Sequence, residues 1–140
     1  MSAKNDEMLE EFKHLEKICR DIYGPSDKSK LPITLYIEDM KQNELIGSST
    51  VPNWNEDYKK LIRIRTIRNR IIHGEASYKD DQFTEEDVEF ISTFCQRILD
   101  GTDPISSLDG IAPKKGAIGC IVSALLFAIV LAIIITVILI

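Results

Sequence analysis

From Gly116 to Ile140 the chain carries no charged residue, and this run limits the architecture more than any other feature. Twenty-five residues at 1.5 Å each give about 37 Å of helix, more than a ~30 Å hydrocarbon core requires. The alternative is a buried core helix, but a segment apolar on every face is hard to bury in so small a protein. The run therefore predicts a transmembrane helix over residues 116–140. Lys114 and Lys115 border it on the N-terminal side. The positive-inside rule then leaves the preceding domain in the cytoplasm and Ile140 at the outer side. The expectation is a single-pass, tail-anchored protein of the cell membrane, with the lipid bilayer as one partner.

Within that run Gly116, Cys120, Ala124, Ala128 and Ala132 fall four apart. Small residues at this spacing let two membrane helices approach closely, which suits a parallel homodimer. Chance placement of Ala gives the same pattern. A spacing of four also drifts about 40° per step on a 3.6-residue helix, so one partner follows only two or three steps. Cys120 is either a small packing residue or a lipidation site near the interface.

About 115 residues remain for the rest, enough for one domain with one core. All 22 acids and 17 bases lie before Gly116, so this part carries the whole net charge of −5. That balance excludes a global attraction to nucleic acid. It is unevenly spread, however. Between Asn55 and His73, Lys59, Lys60, Arg63, Arg65, Arg68 and Arg70 oppose only Glu56 and Asp57, a local +4 in a chain that is otherwise −9. Cys19, Cys95 and Cys120 form no close pair, and the first two sit on apolar stripes as small buried side chains, suiting a reducing compartment. With two histidines and no Cys-x-x-Cys, the sequence shows no metal-ligand cluster and implies no cofactor.

Helical periodicity organises residues 1–103. Met8, Phe12, Leu15, Cys19 and Ile22 recur at 4-3-4-3 spacing in a first helix that Gly24-Pro25 ends. A shorter helix follows Pro32, with Ile33, Tyr36, Ile37 and Met40 as its buried face. Gln42 to Pro52 reads as a loop, since Gly47-Ser48-Ser49 argues against continuation. Asn53 and Glu56 have the form of a capping box for a third helix reaching His73. Its apolar stripe is Trp54, Tyr58, Leu61, Ile64, Ile67 and Ile71, and Gly74 suits the left-handed position beyond it. Phe83 and Thr84 open a fourth helix with Val88, Ile91, Phe94, Cys95 and Ile98 inward, ended by Gly101. The predicted class is all-α, an up-down bundle of about four helices over 1–103, a linker over 104–115, and the apolar helix.

The chemistry-bearing stretch is Arg68-Asn69-Arg70-Ile71-Ile72-His73. Asn69 and His73 are four apart and share a helix face, and Arg68 lies about 100° round from Asn69. A neutral His can take a proton from a hydroxyl, and an Arg fork can stabilise charge on phosphate oxygens. Lys59, Arg63 and Arg70 would add a basic face for RNA. Structural readings stand beside these. A His before a C-capping Gly is favourable through the helix dipole, Arg68 could pair with an acid such as Asp87, and a basic helix face is usually solvated.

Arg68-Asn69-x-x-x-His73, late in a long helix of a small α-bundle, resembles the motif of the HEPN superfamily (higher eukaryotes and prokaryotes nucleotide-binding) over roughly Leu31 to Gly101. The resemblance implies a bundle that dimerises so that two motifs face one cleft. In many members that cleft is a metal-independent endoribonuclease of toxin–antitoxin, phage-defence or stress systems, under the control of a regulatory partner in some. Carried over, His73 is the general base or acid, Arg68 the phosphate stabiliser and Asn69 the orienter. Other members only bind RNA, a nucleotide or a protein. Members silenced by nucleotidyl transfer carry a Tyr two residues after the His. Here Glu75 occupies that position and Tyr78 is the nearest Tyr, while Glu75, Asp80 and Asp81 bring negative charge near the motif.

Overall fold

The computed structural model describes residues 2–24, 30–77 and 79–111. The chain divides into two compact units, Met1–Leu108 and Asp109–Ile140, and the first holds the core. Six helices are present among the described residues: α1 (Ala3–Tyr23), α2 (Pro32–Gln42), α3 (Glu44–Thr50), α4 (Trp54–Ile72), α5 (Glu85–Asp100) and α6 (Pro104–Ile111). The all-α expectation holds. No described helix is long and apolar enough to cross a membrane, and residues 116–140, which carry the transmembrane reading, lie outside the described residues.

α1 packs closely along α5 and α2, whereas α4 rests against α2 and α3. The predicted stripes supply the core: Met8, Phe12, Leu15 and Cys19 from α1, Ile33, Tyr36, Ile37 and Met40 from α2, and Ile91, Phe94, Cys95 and Ile98 from α5 are all buried. Tyr36 meets Phe94 edge-on at 5.5 Å between ring centroids, joining α2 to α5. Burial pushes the Cys19 thiol well up and the Cys95 thiol to about 11, so both behave as inert packing groups. Ile22 departs from its stripe. It is exposed, while its neighbour Tyr23 turns to α2 and donates to Asp39 at 2.9 Å.

Three local expectations are corrected. Residues 44–50, expected as loop, form α3. Gly47 is there to make room, because a Cβ on it would lie 2.4 Å from the Trp54 ring atoms. Ser49, which reads as loop-forming, donates its hydroxyl back to the Ile46 carbonyl at 2.9 Å, and Thr50 donates to the same oxygen at 2.7 Å, inside the helix. Asn53 precedes α4 but adopts φ 60°, a left-handed conformation in which its side chain makes no cap hydrogen bond. The capping-box expectation there fails. Residues 104–111, expected as linker, form α6. Asp103 opens it, accepting from the Ser106 amide at 3.3 Å and from the Tyr36 hydroxyl at 2.6 Å.

The α5 start is as read. The Thr84 side chain and Asp87 make a reciprocal capping box. Asp87 also binds Arg63 of α4, while Arg97 of α5 reaches Asp57 of α4 at 2.9 Å. Two ion pairs of opposite sense therefore clip α4 to α5.

Candidate functional site at the end of α4

α4 ends in a Schellman motif, which fixes the backbone of the site. Gly74 takes φ 72°, its amide donates to the Ile71 carbonyl at 3.1 Å, and the Glu75 amide donates to the Arg70 carbonyl at 2.8 Å. His73 is thereby held at the cap position with its amide on the Asn69 carbonyl at 2.9 Å. Its imidazole is exposed, with no hydrogen-bond or ion-pair partner among the described residues. Asn69, one turn earlier and half-buried, accepts a hydrogen bond from Arg68 Nη1 at 3.1 Å.

Arg68 and His73 diverge. Five residues apart on a helix of about 100° per residue, they point roughly 140° from one another. Arg68 faces inward over the Phe12 ring of α1, 5.4 Å from its centroid. Arg68 and Asn69 are thus brought together, Asn69 and His73 share a face, and one chain does not bring Arg68 to His73. Asp87 takes Arg63 in place of Arg68.

The basic helix is largely committed internally. Besides Arg63 and Arg68, Lys60 sits 5.1 Å over the Phe90 ring and Arg65 donates to Thr34 Oγ1 at 3.4 Å. Of the residues proposed to contact RNA, Arg63 is held by Asp87, while Lys59 and Arg70 are exposed. Lys59, Thr66, Arg70 and His73 fall within about 60° of arc, so a single outward stripe carries the available cations and the imidazole. The acidic loop after His73 is docked on the start of α1. The buried Asn5 side chain donates to the Asp80 carbonyl at 2.9 Å and accepts from the Gln82 amide at 3.0 Å, and the Ser2 hydroxyl donates to Asp81.

On the inner side of Arg68 lies a cleft of about 760 Å³ between α1, α4 and the chain entering α2. Glu16 belongs to its wall, is 8% exposed, and has neither carboxylate oxygen in an ordinary hydrogen bond among the described residues. Burial raises its carboxyl above the usual range, against the opposing pull of Arg68, the Ile33 amide and Arg20. Sequence reasoning missed Glu16, Phe12 and Asn5 as parts of the site. For Glu16 a signal existed, since an acid four residues after Phe12 and next to Leu15 interrupts an apolar stripe.

A family model described as "Family of unknown function (DUF6548)" matches residues 6–117. The chain belongs to DUF6548. Its signature spans every helix from α1 to α6 and stops two residues into the uncharged run, so the helical domain carries the DUF6548 pattern. No curated protein and no solved structure matches the chain.

Proposed function

We propose that this DUF6548 chain is a membrane-tethered, HEPN-like, metal-independent endoribonuclease of the toxin, defence or stress type, working as a homodimer at the cytoplasmic face. The observation that carries the reading is the exposed His73 imidazole, without a partner among the described residues, one helical turn from Asn69, whose amide Arg68 holds in place. In the proposed reaction His73 takes the proton of the substrate's 2′-hydroxyl. That oxygen then attacks the adjacent phosphorus, the bond to the 5′-oxygen breaks, and the products are a 2′,3′-cyclic phosphate and a 5′-hydroxyl. The leaving oxygen receives its proton from the second copy's His73 in the shared groove. Arg70, on the outward stripe, meets the RNA backbone, and Arg68 acts first by fixing Asn69.

A second reading is favoured by the inward turn of Arg68 and the capture of Arg63. A domain that spends these cations internally suits a non-catalytic module that binds RNA, a nucleotide or a protein at the membrane.

Induced expression of the full chain separates the two. For the nuclease, growth arrest and RNA fragments ending in cyclic phosphate persist with chelator in the purified reaction, and His73→Ala lowers the rate on the order of 10²–10⁴. Intact RNA with both chains, in cells where the protein fractionates with membranes, supports the module. Removal of residues 116–140 should release the protein from the membrane fraction.

A further inference from the structure

The cleft behind Arg68 has the chemistry of a ligand site distinct from the outward stripe of His73. Its size, about 760 Å³, falls within the range of pockets that enclose small organic molecules. Leu9 and Phe12 of α1, Leu31 before α2 and Ile72 of α4 give it apolar walls. Ile72 is 48% exposed, an apolar side chain left uncovered at the rim.

Charge is segregated along α1. Asp6 and Glu10 line one end of the cleft, and Glu10 is paired with Lys13 at 2.5 Å. Lys17 and Arg20 line the other end and have no ion-pair partner among the described residues, and Arg68 leans over from α4. Glu16, between them, is the acid that would neutralise these cations. It is 8% exposed, neither of its oxygens makes an ordinary hydrogen bond among the described residues, and burial raises its carboxyl above the usual range against the pull of Arg68, the Ile33 amide and Arg20. Lys17, Arg20 and Arg68 therefore face the cleft beside a buried carboxyl group that makes no ordinary hydrogen bond among the described residues.

We propose that the α1–α4 cleft binds a small amphipathic organic anion, its acid group held by Lys17, Arg20 and Arg68 and its apolar body lying along Phe12, Leu9 and Ile72. A carboxylate or phosphate head accepts charge-assisted hydrogen bonds from these cations. From Leu9 to Arg20 the helix rises about 16 Å, room for a head group and a medium-length chain. A neutral or cationic molecule of the same shape lacks this fit, because it leaves the three cations uncompensated. Arg68 faces both the cleft and Asn69, so an occupant would fix the first residue of the Arg68–His73 stretch from behind.

The test uses the full chain in nanodiscs of neutral phosphatidylcholine and a diazirine-bearing octanoic acid, with labelled peptides mapped by mass spectrometry. Labelling is expected on α1 and the end of α4. It should fall at least tenfold with Lys17→Glu/Arg20→Glu and with Leu9→Trp, which fills the apolar end. The matching diazirine alcohol should label these peptides no more than the double variant does. Competition by soluble octanoate assigns the natural anion to solution, and competition by phosphatidylglycerol doped into the disc assigns it to the bilayer. Equal labelling by acid and alcohol, labelling indifferent to both variants, or competition by neither anion overturns the proposal. Circular dichroism of both variants confirms that lost labelling is not lost fold, and Arg20→Gln, which removes charge without reversing it, should give an intermediate loss.

Discussion

The guanidinium carbon of Arg68 stands 5.4 Å from the centroid of the Phe12 ring, across the gap between α4 and α1. The residue that opens the Arg-Asn…His stretch is therefore part of the packing of the domain, whereas His73, which closes it, is exposed and its imidazole has no hydrogen-bond or ion-pair partner among the described residues. The two ends of one short motif answer to different demands, and substitution should separate them.

Arg68→Ala should cost about 1–2 kcal/mol through the lost cation–π contact and the stem's packing on α1. Arg68→Lys should recover part of that, because an ammonium still faces the ring but cannot reproduce the planar fork to Asn69. His73→Ala should lie within about 0.5 kcal/mol of the parent. Thermal unfolding of the three variants checks this, and an unchanged midpoint for Arg68→Ala would contradict the inward placement.

Glu16→Gln should stabilise the domain at neutral pH. The carboxyl is raised by burial, against the pull of Arg68, the Ile33 amide and Arg20. The folded state then binds the proton more readily than the unfolded one, so the group's contribution falls as pH rises from the ordinary carboxylate range through the raised value. Glutamine mimics the protonated acid. A gain on the order of 1 kcal/mol at pH 7, vanishing toward pH 4, is the expected pattern in denaturant midpoints.

Asp87→Asn should act in the opposite sense. Burial raises the Asp87 carboxyl, but the Thr84 amide, Arg63 and the Thr84 hydroxyl together outweigh it and hold it below its usual range. Its contribution is present above the ordinary carboxylate range and is lost as pH falls through the depressed value. The substitution should cost about 1–3 kcal/mol at pH 7, because cap and ion pair are weakened together. Urea unfolding at pH 7 and at pH 3 measures this, with the two chains converging at the lower pH.

Tyr36→Phe should loosen α6. The Tyr36 hydroxyl donates to Asp103 at 2.6 Å, and Asp103 is 1% exposed with its other oxygen unpartnered among the described residues. Without that donor the buried carboxylate keeps only the 3.3 Å contact from the Ser106 amide. A loss of about 1–3 kcal/mol is expected, with faster amide exchange at residues 105–108 before any change in α1 or α5.

The long helices were legible because their apolar residues keep a strict period, as Met8, Phe12, Leu15 and Cys19 do in α1. The cap of α5 was legible because a Thr stands directly before a run of acids, and the reciprocal bond of Asp87 to the Thr84 amide adds to it. α3 was not. Its glycine answers to Trp54, seven residues later, and no local rule reports that. Asn53 looked like a cap, but the turn out of α3 sets its backbone left-handed and takes the side chain away. At the site, the helix and its end at Gly74 followed from the pattern. The direction of Arg68 did not, since it depends on Phe12 and Glu16 arriving from a helix some fifty residues earlier.

The absent side chain at Gly47 and the large one at Trp54 also set the order in which this sequence can change. While the indole fills the space, a Cβ at position 47 meets ring atoms at 2.4 Å, and every other amino acid brings at least that atom. The ring can shrink first, at a cost of about 3–5 kcal/mol for the cavity it leaves. Only then can position 47 grow to refill the space. A lineage that exchanges this pair must therefore pass through its least stable intermediate with the tryptophan already gone, and a mutational scan of position 47 alone should return glycine and nothing else.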